Sequence, residues 1–120
     1  MYQEYKDRVA FLFVYIREAH PTDEWQMDSN VEEGVLYPQP KTLSERKIVA
    51  SSCSTKLSLT MPVLVDEIDN RADNLYAGWP ERIFIVDQRG TIAYAGRQGP
   101  WGFKPEEARE WLEKNVGKPK

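Results

Sequence analysis

The sequence predicts an α/β domain built on a mixed sheet, and three observations carry that prediction. Short, wholly apolar runs alternate with segments whose apolar residues recur at helical spacing. The first run, residues 9–16, is apolar at every position and rich in β-branched and aromatic types, the pattern of a strand covered on both faces. The last two runs are joined by four residues ending in Gly90, the mark of a hairpin. The length of 120 residues fits one domain over 1–120.

Residues 1–8 are polar and amphipathic, without the apolar centre of a signal peptide. Residues 17–40 hold Pro21, Pro38 and Pro40 and show no sustained period, a long connection of the kind that often carries function. Thr42-Leu-Ser-Glu45 matches a capping box, in which hydroxyl and carboxylate each bind the other residue's free amide. Leu43, Val49, Ala50 and Cys53 follow at helical spacings, predicting a helix to about Ser52. Pro62-Val-Leu-Val-Asp66 reads as a short buried strand. Ile68, Ala72, Leu75 and Trp79 mark a helix with one apolar stripe, capped by Asp69 and stopped by Pro80, read as a trans helix stop with a cis bond beside the site as the alternative. Residues 81–86 and 91–95 are the hairpin strands, and 96–102 is a glycine-rich loop. Pro105, Glu106 and Glu107 open a last helix with Ala108, Trp111, Leu112 and Val116 as its stripe, and Gly117 ends it.

The order is therefore β–α–β–α–β–β–α. Right-handed crossovers bring the first three strands into parallel register, and the hairpin adds an antiparallel edge. This is most of a thioredoxin-like sheet of the peroxiredoxin type, with the first β–α unit absent.

Composition narrows the chemistry. Lys+Arg is 16 against Asp+Glu 19, a net charge of −3 that argues against nucleic acid or an anionic membrane as partner. No apolar run approaches the roughly 20 residues that span a bilayer, and a reducing, cytoplasmic setting is expected. One cysteine, Cys53, and one histidine, His20, exclude an internal disulfide, a Cys-x-x-Cys pair, a thiolate zinc site and a His-x-x-x-His motif. Asp23, Glu24 and Asp28 lack the spacing of a coordination loop, so no metal is expected. Cys53 reads as a small buried hydrophobe at a helix end.

The most informative segment is Tyr15-Ile-Arg-Glu-Ala-His-Pro-Thr-Asp-Glu-Trp25. It resembles the Tyr-Ile-Glu-Glu-Ala-His-Pro-Ser-Asp-Gly-Trp segment of the iodothyronine deiodinase family. Tyr76-Ala-Gly-Trp-Pro-Glu-Arg-Ile-Phe-Ile-Val86 looks like that family's Tyr-Gly-Ala-(aromatic)-Glu-Arg-Leu-Tyr-Val-Ile, with Pro80 at the aromatic position. The run from Thr91 to Phe103 is similar to its Gly-Thr-Ile-x-Tyr-x-Gly-Gly-Arg-Gly-Pro-x-Gly-Tyr, and Glu107-Ala-Arg-Glu-Trp-Leu112 to its Glu-Leu-Arg-x-Trp-Leu. These segments cover nearly the whole chain in the right order.

The resemblance implies a thioredoxin-like fold and reductive removal of iodine from an aromatic ring. The family's nucleophile, a selenocysteine or cysteine, lies in a strand–helix turn upstream of the histidine motif. The chain is expected to lack that turn, through a selenocysteine codon read as a stop or through trimming of the domain, and to be inactive alone. Electrons would come from a small thiol reductant or thioredoxin, with no bound cofactor. His20 would supply the proton that the ring carbon takes up as iodine leaves. Glu18 shares a face with His20 along an extended segment and would orient or charge the imidazole. Tyr15 shares parity with neither; the resemblance places it near the substrate, and its plainer role is core filling. Arg97, in the glycine-rich loop, would hold a phenolate or carboxylate of the substrate, although the family's arginine falls one position later, at Gln98.

Two rival readings stand beside this one. A redoxin acting on peroxides or disulfides would use Cys53 as a resolving thiol. A non-enzymatic module would dimerise through the apolar surface and sheet edge that the missing unit leaves exposed, and a homodimer of that kind is expected here.

Overall fold

A computed structural model of the chain describes residues 1–18 and 39–119. Among the described residues eight elements follow in order: α1 (Tyr2–Tyr5), β1 (Phe13–Tyr15), α2 (Leu43–Lys56), β2 (Val63–Val65), α3 (Arg71–Tyr76), β3 (Phe84–Val86), β4 (Ile92–Ala95) and α4 (Pro105–Asn115). The protein is thus a mixed α/β structure. Its described residues fall into two compact units, one spanning 12–78 and the other joining 1–11 to the chain from Trp79 onward.

In the 12–78 unit, β1 and β2 pair in parallel, Phe13 with Val63, Val14 with Leu64 and Tyr15 with Val65. The parallel pairing is the one the sequence predicts, but the strand is shorter and barer. Val14 is 42% and Leu64 48% exposed, so this ladder has an inner face and an open one, where burial on both faces was expected. The run over 9–16 is not one strand, because the Val9 amide donates to Tyr5 O (2.8 Å) and closes a turn behind α1.

Helix α2 begins as the capping box predicts, the Glu45 amide donating to Thr42 Oγ1 (3.1 Å). The return arm is shifted one residue, with Lys41 N donating to Glu45 Oε2 (2.7 Å). The helix runs four residues past the expected Ser52, and Thr55 Oγ1 bonds back to Ser51 O (3.1 Å) in its last turn. Its buried residues are Arg46 and Ala50, one turn apart.

Helix α3 departs furthest from expectation. It is six residues long, and its buried residue is Asp73. Leu75, two residues on and so about 200° round the helix, is 73% exposed. The physical reason is Asp66, whose buried carboxylate accepts the Ala72 (2.8 Å) and Asp73 (3.0 Å) amides. Asp66 does the capping expected of Asp69, and it fixes the turn that faces inward.

In the other unit, β3 and β4 form the predicted hairpin. Asp87 Oδ1 accepts the Arg89 (2.9 Å) and Thr91 (3.0 Å) amides, and Gly90 takes φ +80°, a conformation that favours glycine. The Trp79–Pro80 bond is cis, where a trans helix stop was expected. Helix α4 buries Ala108 and Leu112, and the fully buried Tyr5 donates from its hydroxyl to Gly117 O (2.8 Å) just past the helix end. Arg8 reaches Lys118 O (2.9 Å), so α1 clasps the end of α4.

Arg109 adds a two-point contact to Glu4 (2.6 and 2.9 Å), which holds the Glu4 carboxyl at about 2 against an ordinary 4.5. A depressed carboxyl gives stability above its ordinary value and loses it as pH falls through the folded value. The stability gap between the parent and a Glu4→Gln variant therefore shrinks from pH 4.5 toward pH 2. Urea unfolding at a series of pH values measures it, and a gap that is constant with pH contradicts the pairing.

Candidate functional site

The site is built at the C-terminal end of β1, where ligand crevices form in open α/β sheets. Pairing continues just past the strand, the Asp66 amide donating to Tyr15 O (2.9 Å). Beyond Tyr15 the chain leaves the ladder, and the alternation of faces no longer holds. The Tyr15 hydroxyl consequently donates to Glu18 Oε1, although strand parity would set the two on opposite faces. The Tyr15 hydroxyl is thus a partner of Glu18.

Glu18 is held by its backbone as well. Its amide donates to Gln39 Oε1 (3.0 Å), and Gln39 Nε2 donates to Glu18 O (3.2 Å). A side-chain amide here does what a neighbouring strand would do. Sequence reasoning missed Gln39, which sits between Pro38 and Pro40; no periodicity or motif marks it.

Burial pushes the Glu18 carboxyl above the usual carboxylate range. Cys53, half-buried on α2, is also pushed up, first by burial and then by the charge of Glu18, with Lys56 pulling the other way. A shift in that direction disfavours the thiolate, the nucleophilic form of the group. Replacing Glu18 by glutamine removes one cause of the shift, so Cys53 should react faster with iodoacetamide at a fixed pH near neutrality. An unchanged rate would mean that the Glu18 charge does not reach the thiol.

Arg97 belongs to the other unit, on the loop between β4 and α4. It lines a cleft of about 470 Å³ together with Gln98, Trp101, Gly102, Lys104 and Glu107. Trp101 is 91% exposed, so an indole face and two cations are open to solvent there. Gln98, at the position of the family's arginine, donates from Nε2 to Trp79 O (2.8 Å) and ties the loop to the residue before Pro80. His20 lies outside the described residues, as do Asp23, Glu24, Trp25 and Asp28. Among the described residues no three of His, Cys, Asp and Glu gather as metal ligands, and no helix is long and apolar enough to cross a membrane.

Comparison with known proteins agrees with the motifs. The chain is 38% identical over 111 residues to a type I iodothyronine deiodinase of Xenopus laevis, covering 92% of this chain and 42% of that protein. It is 36% identical over 118 residues to the type II iodothyronine deiodinase of Rattus norvegicus, covering 97% and 44%. It is 33% identical over 111 residues to the thyroxine 5-deiodinase of Bos taurus, covering 92% and 35%. The chain thus spans less than half the length of these relatives. The family model for iodothyronine deiodinase matches residues 1–116, and the chain belongs to that family.

Proposed function

We propose that these 120 residues are the acid and substrate side of a deiodinase-like oxidoreductase, acting on an aromatic, iodothyronine-like substrate. The observation that carries this is the clamped Tyr15–Glu18 pair at the end of β1, two residues ahead of the family's histidine. In the reaction the ring carbon loses iodine and gains a proton, and iodine leaves as iodide. The two electrons come from two thiols, which end as a disulfide. His20 gives the proton, Glu18 orients it, and Arg97 holds an anionic group of the substrate. The attacking Cys or selenocysteine is not among these residues, since Cys53 is the one thiol and its thiolate is disfavoured. A thiol reductant or thioredoxin regenerates the nucleophile, with no bound cofactor.

The finer fold reading belongs to the same proposal. The parallel pairing of β1 with β2 and, separately, the antiparallel β3–β4 hairpin support a thioredoxin-like reading of one domain, set in the cytoplasm. The open face at Val14 and Leu64 supports a homodimer formed on that side. The test is iodide release from an iodinated phenol by a longer polypeptide that includes a Cys- or selenocysteine-bearing turn, with dithiol as reductant. Release that depends on the nucleophile supports the function; a folded, reduced protein that releases no iodide from any iodinated phenol or iodothyronine rules it out.

A further inference from the structure

Arg17 lies between the two residues of the candidate pair, and its side chain runs away from them to a buried anchor. Arg17 Nε is 2.9 Å from Asp73 Oδ2, and the Asp73 side chain is 4% exposed against 45% for Arg17. An ion pair between two exposed side chains holds little in place. Here one partner is fixed before the other arrives. The Asp73 amide is bound by Asp66 Oδ2, and Ala72 by Asp66 Oδ1. The turn from Asp66 to Asn70 is gripped in turn by the buried Arg46, which donates to Asp66 O (3.3 Å), Glu67 O (2.6 Å) and Asn70 Oδ1 (2.7 Å). A carboxylate so buried is costly without a cation, and Arg17 brings one.

We infer that Arg17 is a positioning residue, whose ion pair with the buried Asp73 holds residues 15–18 so that the Glu18 carboxylate stays against the Tyr15 hydroxyl. The inference rests on reading Tyr15 and Glu18 as the functional pair. Residues 15–18 are then held from two directions, by Gln39 at the Glu18 backbone and by Asp73 through Arg17. The family segment quoted above has glutamate at the position of Arg17. A glutamate there would set carboxylate against carboxylate, so the anchor is a feature of this chain and its choice of Arg17 with Asp73.

The experiment follows the Glu18 carboxyl by carbon NMR titration, with the Tyr15 ring carbon as a second probe, in the 120-residue chain without substrate. Among the described residues, Tyr15 on β1 is hydrogen-bonded to Glu18, Cys53 on α2 feels its charge, and Lys56 acts on that thiol with the opposite sign. In Arg17→Gln and in Asp73→Asn the Glu18 midpoint should fall into the ordinary carboxylate range, because the freed segment lets water reach it. The double variant should shift no further than either single one, since both break the same contact. Arg17→Lys should restore the parent midpoint. A role confined to stability would lower the melting temperature and leave both NMR probes unmoved. Unmoved probes, single shifts that add in the double variant, or a lysine that restores nothing would each overturn the assignment. A longer protein that releases no iodide while these couplings persist fails the functional proposal and leaves the positioning role standing.

Discussion

Replacing Arg46 with alanine should lower the unfolding free energy by about 3–4 kcal/mol, from lost packing and from buried acceptors left unpaired. Arg46 is 2% exposed and is among the largest fully buried side chains in the protein. Its guanidinium serves three acceptors in the turn between β2 and α3, two of them main-chain carbonyls. Alanine leaves those groups without that donor and empties the volume of a long side chain. The 12–78 unit also buries two carboxylates, Asp73 paired with Arg17 and Asp66 bound by the Ala72 and Asp73 amides, in and beside the turn that Arg46 grips. A domain of this size has about 5–15 kcal/mol in total, so the loss is a large share of it. Arg46→Lys keeps the charge and loses the fork, and it should fall between parent and alanine. Urea unfolding of the three chains decides the matter. A loss below about 1 kcal/mol for alanine would mean that the buried acceptors find water, because exposed hydrogen bonds contribute no more than that.

Much of the fold was legible because it follows from local chemistry. The hairpin was visible in Asp87 and Gly90, whose side-chain and backbone geometry make the turn without help from elsewhere. Thr42 and Glu45 marked the start of α2 for the same reason. The misreadings arose where distant residues override a pattern. Ile68, Ala72, Leu75 and Trp79 do recur at helical spacing, yet α3 turns Asp73 inward because Asp66, five residues before the helix, binds its first amides. The apolar run over 9–16 looks like one strand, but a carbonyl of α1 takes the Val9 amide.

The candidate site divides in the same way. Tyr15 and Glu18 were legible from the motif that contains them, while their contact was not, since it depends on where the chain leaves the β1 ladder. Gln39, Asp73 and Arg46 left no trace in the sequence. Each is a polar residue, and only tertiary structure shows what it binds.

On the proposed function, the largest effect on activity is expected at His20, in a longer polypeptide that includes a Cys- or selenocysteine-bearing turn. His20→Asn should lower iodide release by about 10²- to 10⁴-fold, the usual contribution of a positioned general acid. The proton it gives must be present beforehand, so the rate should fall as pH rises through the imidazole's range, ordinarily near ~6.5. On the same proposal Glu18 should modulate that limb. A carboxylate facing the ring favours the protonated imidazole, so Glu18→Gln should move the falling limb to lower pH and cost less turnover than His20→Asn does. Arg97→Met should raise KM for a phenolic substrate with little change in kcat, because holding an anionic group is the same in ground and transition states. The three variants therefore separate by kind as well as size. His20→Asn abolishes the falling limb, Glu18→Gln displaces it, and Arg97→Met leaves it in place. A His20→Asn protein that keeps the parent pH profile would show that the proton comes from another group.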